Sequence, residues 1–162
     1  MPADLLELQL KLIEWEIQTI NSTIRQMDEM AKSVKQWALT LWTAAVGTAL
    51  ATPRLAAYVA LTAVIPLFFL IVEVSYRRVQ RRFIWRSERI GEFVAHGGLE
   101  QAVNEGRISE FRLWDPSAVY TGNTDYREFI SFRRVMGFGT VGVFYIGLAI
   151  VSLLVAVVHS GF

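Results

Sequence analysis

The chain has 162 residues, 53% of them hydrophobic and 19% charged, with a mean hydropathy of +0.36 and a net charge of +1. Soluble domains run about 45–50% apolar and about 25% charged. Here the apolar excess is concentrated in residues 36–72 and 135–158, which carry one charge between them, Arg54. Such runs exclude a soluble globular protein and a disordered chain, and leave roughly 100 residues outside lipid, too few for most catalytic domains. The absence of cysteine excludes a disulfide framework, a thiolate metal site and a cysteine nucleophile. The fold class expected is an all-α membrane protein in four segments. These are a cytosolic coiled-coil helix (1–35), a two-span hairpin (36–74), a basic cytosolic helix with a small subdomain (75–134), and a third C-terminal span with its tail (135–162).

The chain begins MPADLLELQL, with Asp4 and Glu7 ahead of the first base, Lys11, and so lacks the positive start of a secretory signal. Apolar residues then recur at Leu6, Leu10, Ile13, Ile17, Ile20, Ile24, Met27, Ala31 and Val34, spaced alternately four and three apart. That is an a/d heptad seam, and isoleucine at both positions favours three or four strands. The seam predicts a homo-oligomer, most simply a tetramer, with Leu10, Ile13, Ile17, Ile20, Ile24 and Met27 at the contact. Two alternatives stay open: packing on the chain's own cytosolic helix, and lying on the membrane surface. The second fits poorly with the few basic residues here. Leu5, Leu8, Leu12 and Trp15 widen the apolar surface near the start.

Residues 36–72 are too long for one crossing, and Ala51-Thr52-Pro53-Arg54 supplies a break. Spans are expected over about 37–51 and 55–74, with Pro66 kinking the second, and over 136–158. Thr43, Gly47 and Ala51 form a small-xxx-small ridge in the first span, and Gly142, Ala149 and Ala156 repeat every seven residues in the third. Both sets read as pore-facing or helix-packing positions. Arg77, Arg78, Arg81, Arg82, Arg86 and Arg89 follow span two, Arg133 and Arg134 precede span three, and Lys32 and Lys35 precede span one. The positive-inside rule therefore places the N-terminus in the cytosol and the C-terminus outside, in a multi-pass membrane protein.

Residues 75–94 continue span two into water as one helix. Its six arginines suit either lipid headgroups or a polyanion such as a nucleotide, oligonucleotide or phosphoinositide. His96-Gly97-Gly98 ends it; a short helix over 99–104, a short strand over 107–114, a turn at Asp115-Pro116-Ser117, a loop over 118–124 and a helix over 126–134 capped by Thr124 or Asp125 follow. Glu73 is either a pore residue or a partner for Arg77. The Gly137–Gly142 run spells G-x-G-x-x-G inside an apolar span, where no Rossmann strand precedes it. Asn21-Ser22-Thr23 falls on the cytosolic side, and His96 and His159 lie on opposite sides. No catalytic set, metal site or cofactor is expected.

The order of a coiled-coil helix (Leu6–Lys35), a hairpin with a tiny outer turn (Gln36–Val74) and a basic emerging helix (Tyr76–Phe93) resembles the SLATT-type membrane effectors of bacterial anti-phage systems. Those are usually two-span modules, and the third span here departs from that pattern. In size and layout the chain is most similar to the three-span effectors of the Hailong system. The resemblance implies a tetrameric, channel-like protein of the bacterial inner membrane that depolarises the cell and whose activity is set by a DNA oligomer from a partner nucleotidyltransferase. The Arg77–Arg89 helix would face that ligand. An accessory or scaffold subunit, recruiting a partner through its coiled coil, is the competing expectation.

Overall fold

The computed structural model describes residues 2–52, 54–109, 111–113, 120, 122–137 and 139–160. Among these the chain is helical: α1 (Pro2–Ala51), a 3₁₀ helix (Ala56–Ala63), α2 (Val64–Ala95), α3 (Gly98–Glu105), α4 (Thr124–Phe129), α5 (Phe132–Met136) and α6 (Gly139–Ser160). Pro53, the 115–117 turn and Gly161-Phe162 lie outside the described residues, as do residues 118, 119 and 121 of the expected loop. Two segments, Tyr58–Ala95 and Val141–His159, are long and apolar enough to cross a membrane by length and composition. The end of α1, expected as the first span, is not among them; residues 37–51 are short for a crossing and carry three threonines and two tryptophans.

The described chain divides into two compact units: Met1–Met27 with Val79–Ile130, and Asp28–Arg78 with Ser131–Phe162. The expected hairpin and third span thus belong to one unit, and most of the N-terminal helix and of the cytosolic segment to the other.

In the first unit the seam of α1 is closed by the chain itself. Ile13 and Ile20 are 6% and 3% exposed, and pack with Ile90 of α2, Ala102 of α3 and Ile108. Leu6, Ile24, Phe83, Phe93 and Phe111 surround them. Ile13, Ile20 and Ile24 of the seam are therefore covered by the chain itself, while Leu10 and Ile17 stay exposed. Gly97 at φ +78° and Gly106 at φ +68° bracket α3, both in the left-handed conformation that glycine adopts without steric cost.

No strand forms at 107–109 or 111–113. Among the described residues the alternating pattern there has no strand to pair with. Instead the Gln9 amide takes that place, accepting from Ile108 N (2.7 Å) and donating to Ile108 O (3.3 Å). The helix expected over 126–134 is two short helices. Asn123 Oδ1 caps the first by accepting from Tyr126 N, one residue before the expected caps, and Ser131 Oγ caps the second through Arg134 N.

In the second unit a core of Ala38, Leu70, Val74, Val135, Val141 and Tyr145 joins α1, α2, α5 and α6. Pro66 sits in the first turn of α2, where its missing N–H costs least, so it follows the 3₁₀-to-α boundary instead of kinking a continuous α-helix. The 3₁₀ helix packs on α6.

Exchanging Ile20 for Ala should destabilise the first unit by about 2–5 kcal/mol, whereas Ile17→Ser should change it by within about 0.5 kcal/mol. Thermal unfolding in detergent reads both. The reverse order would mean that the seam is a contact between chains only.

Candidate functional site

The arginines of α2 have different fates. Arg86, expected on an open ligand-facing strip, is closed from water with Glu16, their side chains 3% and 4% exposed. Its guanidinium grips that carboxylate bidentately, Nε to Oε1 at 2.6 Å and Nη2 to Oε2 at 2.9 Å. It also donates to Tyr120 Oη (3.1 Å) and to the Arg112 carbonyl (2.7 Å), and lies 4.6 Å from the centre of the Phe111 ring. A guanidinium this fully satisfied is a structural member. Arg81 is buried, donates to the Phe129 carbonyl and lies over the Phe129 ring. Arg89 pairs with Glu92 at 2.6 Å and lies 4.7 Å over Trp85. Trp85, 9% exposed, meets Tyr126 and Phe129 edge-on or tilted.

Arg82 and Trp85 differ from these. Arg82 Nε and Trp85 Nε1 are buried donors with no hydrogen-bond acceptor among the described residues. They stand three residues apart on α2, one turn along the same side. Orphaned buried donors are rare, and each lacks the stabilisation an acceptor would bring. Nothing in the sequence pattern singled out Trp85.

Arg77 and Arg78 belong to the other unit. Arg77 pairs with Asp28 at 2.6 Å and its Nε is 3.5 Å from Glu73 Oε1. Glu73 is wholly buried; Lys35 Nζ stands 3.4 Å from Oε1, and Tyr145 donates to Oε2 at 2.8 Å. Glu73 is therefore a partner for Arg77, one of the two roles expected, with two further partners that its local sequence does not reveal. A second polar group links three elements of this unit. Trp42 Nε1 donates to Ser152 Oγ (2.7 Å), Ser152 donates to the Leu148 carbonyl, and Thr62 Oγ1 is 3.1 Å from Ser152 Oγ.

The small residues of the two expected spans also part company. On α6, Gly142 and Ala149 face inward, and a Cβ on Gly142 would stand 3.0 Å from the Met136 carbonyl; Ala156 is half-buried. On α1, Thr43, Gly47 and Ala51 are all exposed, with nothing within 4 Å of a Cβ placed on Gly47.

A further cavity of about 220 Å³ in the first unit is lined by Phe93, His96, Gln101, Glu105, Arg107 and Ser109, among others. Hydrogen bonds from Gln101 and Ser109 hold the Glu105 carboxyl below the usual carboxylate range. Among the described residues no three His, Asp or Glu side chains group as a metal site.

Compared with known proteins, the chain matches no family, no curated protein and no solved structure.

Replacing Glu16 with Gln leaves Arg86 buried without its counter-charge and should cost about 3–5 kcal/mol of stability in thermal unfolding. Replacing Glu16 and Arg86 together with Met should recover most of the loss. Tyr145→Phe, which takes the donor from Glu73, should cost about 1.5–3 kcal/mol in the same measurement.

Proposed function

We propose that the protein is a multi-pass membrane effector of bacterial anti-phage defence, channel-like and homo-oligomeric, most simply tetrameric. In this reading it responds to a cytosolic anionic nucleotide or DNA oligomer made by a partner nucleotidyltransferase, and it acts by depolarising the inner membrane. It performs no catalysis of its own. Three spans, near residues 37–51, 55–74 and 136–158, leave the N-terminus inside and the C-terminus outside.

The observation that carries the ligand is the pair of buried donors on α2, Arg82 Nε and Trp85 Nε1. A phosphate oxygen is the acceptor such donors lack. Arg89, lying over the Trp85 ring, adds charge to that side. The ligand contacts thus narrow from six arginines to Arg82 with Trp85, supported by Arg89, while Arg86 and Arg81 hold the fold and Arg77 pairs with Asp28 and Glu73.

The alternative, a scaffold subunit that recruits a partner through α1, is favoured by a different observation. Leu5, Leu8 and Trp15 are 46%, 56% and 60% exposed on one side of the helix.

Arg82→Gln and Trp85→Phe should each weaken binding of a short DNA oligonucleotide by about 1.5–3 kcal/mol, roughly tenfold or more, while membrane insertion is unchanged. Wild-type binding should fall steeply from 50 to 200 mM salt, about the range over which phosphate contacts weaken. Salt-independent binding, or equal binding by both variants, removes the ligand from this proposal. Reporters fused at Met1 and Phe162 should read inside and outside respectively.

A further inference from the structure

We propose that the cavity of the first unit lined by His96, Glu105 and Arg107 binds a small zwitterion, a free α-amino acid with a short apolar side chain. Its ammonium group meets Glu105 and His96, and its carboxylate meets Arg107. The site uses neither Arg82 nor Trp85 and stands apart from the function proposed above.

The walls of this cavity, about 220 Å³ in volume, are pinned from behind. Gly97 and Gly106, both at positive φ, fix the two ends of α3. A Cβ on Gly98 would run into the Phe93 ring, so α3 starts directly against that ring, which in turn stacks on Phe111 at 4.7 Å. Arg107 N donates to the Ala102 carbonyl at 3.0 Å, and the Gln9 amide holds both backbone groups of Ile108. Arg107 and Ser109 therefore leave a fixed backbone on either side of the buried Ile108. A pocket formed before its ligand arrives spends less binding energy on ordering.

The polar groups on these walls are oriented and keep unused capacity. His96 Nδ1 stands 2.8 Å from the Glu92 carbonyl oxygen, which only accepts, so Nδ1 carries a proton. In the neutral ring Nε2 is then left as an acceptor. Glu105 accepts from Gln101 Nε2 at 2.8 Å through one oxygen and from Ser109 Oγ at 2.9 Å through the other. These donors hold the carboxylate in place and favour its charged form, and each oxygen keeps a further lone pair. Arg107 makes no side-chain hydrogen bond or ion pair among the described residues, although its charge also favours the ionised Glu105.

Two acceptors and one free guanidinium select the ligand. A phosphate would meet Arg107 and be repelled by Glu105. A divalent cation would suit Glu105 and His96 but needs more ligands, and among the described residues no three His, Asp or Glu side chains group here. A plain amine leaves Arg107 without an anion. A zwitterion satisfies all three: its ammonium offers three donors, and its carboxylate matches the guanidinium fork. Phe93, Ala102 and Ile108 give the cavity apolar walls for a hydrocarbon side chain. The volume falls below the roughly 300–1,000 Å³ of drug-sized sites, which keeps that side chain short.

Calorimetric titration of the full chain in detergent tests the assignment. The probes are glycine, L-alanine and L-valine, with isobutylamine as valine without its carboxylate, isovalerate as valine without its amine, and zinc ion. L-valine should bind saturably, and isobutylamine and isovalerate should each bind about tenfold or more weakly. Glu105→Gln and Arg107→Gln should each weaken L-valine by about tenfold or more. Arg107→Gln should not weaken isobutylamine, which lacks the group that Arg107 holds, whereas a merely structural role would weaken both probes alike. Should Glu105→Gln fail to fold, the Arg107→Gln comparison decides alone. The proposal is overturned if none of the three amino acids binds saturably, or if both variants keep wild-type affinity for L-valine. Isovalerate binding as tightly as L-valine also overturns it, in favour of a plain anion site. Zinc binding that His96→Gln abolishes, without amino-acid binding, overturns it in favour of a metal site.

Discussion

The bidentate pair between Glu16 and Arg86 sets the register of the first unit. A carboxylate and a guanidinium removed from water are costly unless each meets the other squarely and the remaining protons find acceptors. Here Tyr120 and the Arg112 carbonyl take those protons. That geometry holds at one rotation and one height of α1 against α2. Three residues before Glu16 and four after it, Ile13 and Ile20 are thereby aimed at Ile90, Ala102 and Ile108. The apolar core supplies most of the stabilisation, and the ion pair decides which faces form it. A slip of one residue would turn both isoleucines away and leave two charges buried apart.

The second unit meets the same constraint with a different balance. Glu73 is wholly buried, and its neighbours are two cations, Lys35 and Arg77, with Asp28 beyond Arg77. Two acids and two bases leave the group neutral as a whole, which is the condition for holding charge inside an apolar unit. Tyr145 completes it with a hydrogen bond from α6, so this cluster also joins three helices. Structural use of arginine and lysine in both units explains why the basic residues are so numerous without all being available to a ligand.

Much of the helical layout was legible in the sequence. The uninterrupted apolar run ending at Val158 became α6, the basic segment did continue the preceding helix without a break, and the glycines around residue 97 ended it. What the periodicity of α1 left open was the identity of the covering surface. A 3–4 spacing says that a face is covered, and the same pattern serves a partner chain or the chain's own helix. Ile13 and Ile20 found the latter. The role of Arg86 was out of reach for a related reason, since its acceptor lies 70 residues away in the chain. The expected strand over 107–114 failed because alternation describes one strand, and pairing needs another; a glutamine amide from α1 met the backbone groups at Ile108 instead. Trp85 was hidden because a buried donor without an acceptor has no signature in composition.

The 3₁₀ helix over Ala56–Ala63 changes how the arm that contains it measures distance. A 3₁₀ helix rises about 2.0 Å per residue against about 1.5 Å for an α-helix, so eight residues cover about 16 Å in place of about 12 Å. Tight winding stacks side chains three residues apart directly over one another, and Ala60 and Ala63 place only methyl groups on one such edge. The reach of this arm is therefore set by its winding as well as by its residue count. A bulkier side chain at Ala60 or Ala63 would favour the wider α-helical turn. It would shorten this segment by up to about 4 Å, turning a packing change into a change of length.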